Sequence, residues 1–179
     1  QFQQKPIHQL QFDDLITSEY TKMKPLSVTL AVDGKNRFII GAEVSQIPAF
    51  GLLADKSRKK YGFRPNEHPV GLLRPFEKLK KVVHKNVLIK SDEHKLYPKF
   101  VKKFFPESNH LRFKGERGAI AGQGEFKKVK FDPLFGLNHT CAMLRANINR
   151  LIRKTWCQQK TQKCFKTIFI FIWTFTIQS

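Results

Sequence analysis

The sequence predicts an α/β domain built on a mixed sheet. Two observations lead there. Short apolar runs with strand character fill residues 7–44, and from residue 75 onward helical spacing alternates with one more apolar run, NVLIKS at 86–91. The order read along the chain is β-β-β-α-β-α, then a weakly patterned stretch, then a closing helix.

Residues 7–13 (IHQLQFD) alternate. Ile7, Gln9, Gln11 and Asp13 fall on one side and His8, Leu10 and Phe12 on the other, which predicts a strand ending in the acidic pair Asp13-Asp14. In SVTLAVD (27–33), Val28, Leu30 and Val32 share a face, and RFIIGAEV (37–44) is β-branched and apolar. Asp33-Gly34 between these runs signals a hairpin, so the first three strands read as a meander. Residues 51–74 read as a basic loop, with Lys56, Arg58, Lys59, Lys60 and Arg64 ahead of Pro65 and Pro69. Pro75 suits the first position of a helix whose Phe76, Leu79, Val82 and Val83 recur at helical spacing. The run 86–91 reads as a strand buried on both faces that stops at Asp92, and a helix with Leu96, Phe100 and Phe104 follows. Residues 109–131 are rich in Gly and Lys, with one strand over 110–113 and a flexible loop after it. The closing helix has the clearest pattern. Asp132 can cap it and Pro133 can take its first position, while Leu137, Cys141, Leu144, Ile148, Leu151 and Thr155 form one stripe. Asn138, Arg145 and Asn149 make a polar column beside that stripe.

Composition narrows the function. Among 179 residues the formal charge is +19, a surface that repels itself unless it meets a polyanion, so nucleic acid leads as partner and an acidic membrane comes second. Aromatics at 12% exclude a wholly disordered chain. Cys141, Cys157 and Cys164 form no CxxC pair, which excludes a zinc ribbon and a disulfide framework. Cys141 and Cys157 read as buried or half-buried helix residues, and the six histidines as mostly surface residues. The opening QFQQKPIHQLQF is no signal peptide, and the lack of an initiator Met suggests a fragment or processed product. The apolar run 167–177 is too short for a membrane-spanning helix, which needs about 20 residues, and reads as a buried strand, a sticky tail or an aberrant end.

Two acids stand at the ends of apolar strands, Asp13 after the first and Asp92 after the fourth. Ligands bind at strand ends in open sheets, and if the two strands are neighbours the carboxylates converge. Converging carboxylates repel unless a hard cation lies between them, and Mg²⁺ suits oxygen ligands. A pair of such ions stabilises the attacking and leaving oxygens of a phosphoryl displacement. The competing reading makes Asp92 a helix cap and Asp14 a solvated neighbour of Asp13.

Three segments sharpen this reading. QFDDL (11–15), IKSDEHKLY (89–97) and LNHTCAMLRANINRLIRKTW (137–156) resemble the catalytic core of bacterial insertion-sequence transposases, the DDE-type enzymes of the insertion-sequence-one kind and their relatives. Leu144-Arg145 and Arg150-Leu151-x-Arg153-Lys154-Thr155 set the register, and the resemblance spans roughly residues 8 to 160. It implies an RNase H-like five-stranded mixed sheet flanked by helices, with a long C-terminal helix. It divides the chain into a catalytic domain over 1–160 and an aberrant apolar tail over 161–179. The implied activity is Mg²⁺-dependent DNA cleavage and strand transfer with two ions, Mn²⁺ being able to substitute. Asp13, Asp92 and Asn138 take the catalytic and metal-binding positions. Asn138 stands where most of the family has Glu, and its neutral oxygen coordinates without adding charge, which leaves Glu125 or Asp132 as candidates for a third acid. Arg145, Arg150, Arg153, Lys154 and Lys160 are the expected DNA contacts. The implied partners are transposon ends and target DNA, with a homo-oligomer when active, no membrane, and a cytoplasmic, nucleoid-associated location in a bacterium. The end-recognition module usual in the family does not precede Gln1, and the pattern breaks after Lys160, so a truncated, inactive copy is one expectation. The alternatives are a non-catalytic basic remnant that binds nucleic acid, and a basic RNA-binding protein of ribosomal type.

Overall fold

The computed structural model describes residues 6–114, 131–148 and 161–169. Its strands are β1 (Ile7–Ser18), β2 (Pro25–Asp33), β3 (Ile39–Gln46), β4 (Val83–Asp92) and β5 (Asn109–Phe113). They form one sheet in the order β3-β2-β1-β4-β5. The first three strands pair antiparallel as a meander, whereas β4 joins β1 and β5 joins β4 in parallel. The predicted mixed α/β class is therefore the observed one. The sheet is joined by helices α1 (Ala54–Tyr61), α2 (His68–Leu79), α3 (Tyr97–Phe104) and α4 (Phe135–Asn147), with a 3-10 turn at Gly51–Leu53 ahead of α1.

Alternation along the central strands produces two cores. Leu10 and Phe12 of β1, with Val87 and Ile89 of β4, pack under Leu72, Phe76 and Leu79 of α2 and Tyr97 and Val101 of α3. On the other side Leu15, Leu26, Val28, Leu30 and Val44 pack with Leu137 and Leu144 of α4. Residues 162–169, which the resemblance leaves in an aberrant tail, are helical, and they place Phe165 and Phe169 in this second core at 1% and 2% exposure.

Four boundaries differ from the sequence reading. First, β1 does not end at Asp13 but continues to Ser18, because Asp14 finds buried polar partners instead of water. Second, residues 51–74 are not a loop. Helix α1 buries only Ser57, so it carries no apolar stripe that periodicity could detect. Third, α2 starts at His68 with Pro69 in its first turn, and Pro75 lies inside it. Pro75 is buried there against the Gly41 position of β3, where packing outweighs the usual penalty of an interior proline. Fourth, α4 spans 13 residues and stops at Asn147, since Ile148 is extended at φ −106° and ψ 92°. The long helix with one unbroken stripe is therefore not observed, and Leu151 and Thr155 lie outside the described residues.

Candidate active site

The strand directions bring the site together. The C-terminal ends of β1, β3 and β4 point the same way, because β1 is parallel to β4 and two antiparallel steps from β3. Phe12 pairs with Ser91, so Asp13 stands just beyond the last paired step of β1 and β4, beside the strand-ending Asp92. Both acids line a cleft of about 430 Å³ with Asp14, Asn66, His68, His94 and Tyr97. That volume lies within the range of small-ligand sites.

Asp13 is the carboxyl of the cleft that is raised. Burial, then repulsion from Asp92, pushes its carboxyl up from the ordinary 3.8 to about 7, against the hydrogen bond donated by Asp14 N at 2.7 Å. A carboxylate that is costly to ionise beside a second carboxylate favours a proton or a cation.

Asp14 behaves oppositely. Burial alone would raise its carboxyl, but hydrogen bonding and charge attraction from His68, then Thr29 and Tyr97, hold it below the usual carboxylate range. His68 Nε2 lies 2.5 Å from Oδ2, and Tyr97 Oη donates to the same oxygen at 2.7 Å. Ser27 Oγ and Thr29 Oγ1 donate to Oδ1 at 2.9 and 2.7 Å. The solvated neighbour expected from sequence is thus the most fully satisfied acid of the site. The Tyr97 hydroxyl also reaches Asp13 Oδ1 at 3.2 Å, tying both acids to α3, and burial followed by the Asp14 charge raises its own pKa, so it remains a phenol. His94 packs edge-on against His68 at 5.1 Å and beside Tyr97 at 4.9 Å.

Asp92 does not cap α3, whose N-cap is Leu96 with no side-chain cap bond. Its Oδ1 accepts the His94 N–H at 2.9 Å in a local turn, and its charge reaches Asp13.

Asn138 does not line the cleft. Its Nδ2 donates to Asp132 Oδ2 at 2.8 Å, and Asp132 Oδ1 accepts from Leu134 N at 2.9 Å, so both residues shape the entry of α4. That bond engages the amide nitrogen of Asn138, not the oxygen that the resemblance assigns to a metal. Asp132 likewise lies outside the cleft lining. Arg145 is half-buried on α4, whereas Glu125, Arg150, Arg153, Lys154 and Lys160 lie outside the described residues. Sequence reasoning missed His68, which sits at a helix start with no motif around it. It passed over Tyr97, the last residue of IKSDEHKLY.

The donor set fits a hard divalent ion of the Mg²⁺ type. Such an ion is held by one or two carboxylates, with waters and substrate phosphate filling its shell. Asp13 and Asp92 supply those two, and among the described residues no group of three His, Cys, Asp or Glu forms a closed metal cage. Also among the described residues, no helix is long and apolar enough to cross a membrane. No family model matches the chain, and no curated protein matches it significantly.

Proposed function

We propose that this chain is an RNase H-like catalytic domain of a DDE-type transposase, a polynucleotidyl transferase that cuts and joins DNA. The observation that carries the reading is the meeting of Asp13 and Asp92 at the ends of two parallel strands, where burial and then repulsion from Asp92 raise the Asp13 carboxyl to about 7. The strand order β3-β2-β1-β4-β5 supports the same reading, with the meander antiparallel and the last two strands parallel. So does a charge of +19, which suits a polyanionic substrate.

Asp13 and Asp92 would hold Mg²⁺, which supplies positive charge where a phosphodiester gains negative charge during displacement. The chain's own residues do the rest. Tyr97 and the Asp14 N–H orient the Asp13 carboxylate, and His68 anchors Asp14 so that β1 stays in register beneath the cleft. Basic side chains attract the DNA backbone in a sequence-independent, salt-sensitive way.

The test is cleavage of plasmid and oligonucleotide DNA in Mg²⁺ or Mn²⁺ by the wild type, Asp13→Ala and Asp92→Ala. Turnover that disappears in both variants is the expected result, and turnover unchanged by either removes the assignment. That neither Asn138 nor Asp132 lines the cleft favours a second reading, a basic remnant that binds nucleic acid without turnover. Salt-sensitive binding without cleavage in either ion would establish that alternative.

A further inference from the structure

The segment between β3 and α2 carries a surface that the paired carboxylates do not explain. Residues 47–50 leave the end of β3 and line the cleft that holds Asp13 and Asp92. Phe50 is extended, and Gly51 at φ +61° reverses the chain straight into the 3-10 turn and α1. A Cβ at Gly51 would meet nothing within 4 Å, so the glycine is required for its dihedral angle. The reversal leaves Phe50, which lines the cleft, 67% exposed and Leu52, two residues on, 96% exposed. Beside them α1 presents Lys56, Arg58, Lys59 and Lys60 to solvent. Among the described residues no ion pair reaches any of these four. The helix itself is pinned to the β1–β2 turn, where Ser57 Oγ donates to Met23 O at 2.6 Å.

Exposed cations next to an apolar ring match one ligand chemistry well. A nucleic-acid strand offers phosphates to the cations and the face of a base to the ring. We propose that residues 47–61 form a strand-holding arm. In it α1 takes backbone phosphates, while Phe50 and Leu52 support an unstacked base beside the carboxylate cleft. This rests on the reading of the cleft as a phosphoryl-transfer site, and it specifies the substrate form. The preferred DNA has an unpaired or frayed end, because a base stacked inside a duplex has no free face to offer.

Binding of the full chain in EDTA tests the arm apart from catalysis. The probes are two labelled duplexes of one sequence, fully paired or with two unpaired terminal nucleotides. The wild type is expected to prefer the frayed duplex. Phe50→Ala should cost about tenfold on the frayed probe and leave the paired one nearly unchanged. Lys59→Ala should weaken both alike and lower the salt slope by about one phosphate contact. Equal affinity of Phe50→Ala and wild type for the frayed probe overturns the arm, even if Mg²⁺-dependent cleavage is observed. A preference that survives while no cleavage is found supports the arm and removes only the catalytic reading. Tight, Phe50-dependent binding to phosphatidylserine vesicles, with DNA affinity unaffected by the variants, would assign the surface to a membrane and overturn the proposal.

Discussion

Adjacent aspartates on one strand have opposite fates, and the cause is the company each keeps. Asp14 meets four donors from β2, α2 and α3, whereas Asp13 meets Asp92. Stability should follow both. Asp13 is raised to about 7, so the folded protein binds its proton more tightly than the unfolded chain does. Its contribution therefore falls as pH climbs from about 4 to 7, and above 7 the full penalty applies. Asp13→Asn is expected to unfold at higher urea than wild type at pH 8, by no more than about 4 kcal/mol, with the gap closing near pH 4. Magnesium at ten times its dissociation constant should add about 1.4 kcal/mol to the wild type at pH 8 and little to the variant, which thermal melts would register. Asp14 runs the other way. Its lowered pKa contributes stability above the ordinary 3.8 that is lost as pH falls through the folded value. Removing one of its donors with Tyr97→Phe should cost about 1–3 kcal/mol at pH 7 by urea titration. Asp13 and Asp92, the two acids at strand ends in the cleft, were legible because strand ends and acids are visible in a one-dimensional pattern. The partners of Asp14 were not, since His68 lies 54 positions away and reaches it only through the fold.

Helices here were readable in proportion to the apolar surface they bury. Helix α3 places Tyr97 and Val101 in a core and its spacing announced it, whereas α1 buries only Ser57 and was read as a loop. Helix α4 is held by the buried Leu137 and Leu144 of its stripe and also by one side chain of β1. Gln11, 3% exposed on β1, accepts the Leu137 N–H at 2.9 Å and directs its amide toward Pro133 O at 3.5 Å. Gln11→Ala should orphan that N–H and lower stability by about 1–3 kcal/mol, with the loss of hydrogen-exchange protection concentrated in 134–140. The seating of α2 depends on a small residue. A Cβ on Gly71 would stand 2.6 Å from Cβ and Oγ of Ser45, so Gly71→Ala must push α2 off β3, at about 1–3 kcal/mol in a denaturant titration. Nothing in the local sequence marks Gly71, because the crowding comes from a strand 26 positions earlier.

Taken as one body, the molecule places its site on the rim of a twisted sheet between two cores, with excess positive charge over the whole chain. The fold class was legible because hairpin chemistry, strand runs and helical spacing agree for the three-strand meander, β4 and α3, even though α1 and the start of α2 escaped them. The place of residues 161–169 was not, since an aromatic-rich run gives no hint of where it packs. Phe165→Ala is expected to cost about 3–5 kcal/mol in urea, and deleting 161–179 should abolish the cooperative transition. The layer that holds Leu15 is closed by Phe165, a residue 150 positions later. On a ribosome adding about 5–20 residues per second, that closure waits roughly 8–30 s after Leu15 is made. During the wait the oily side of the nascent meander lies bare, and a chaperone that shields such surfaces has its window there.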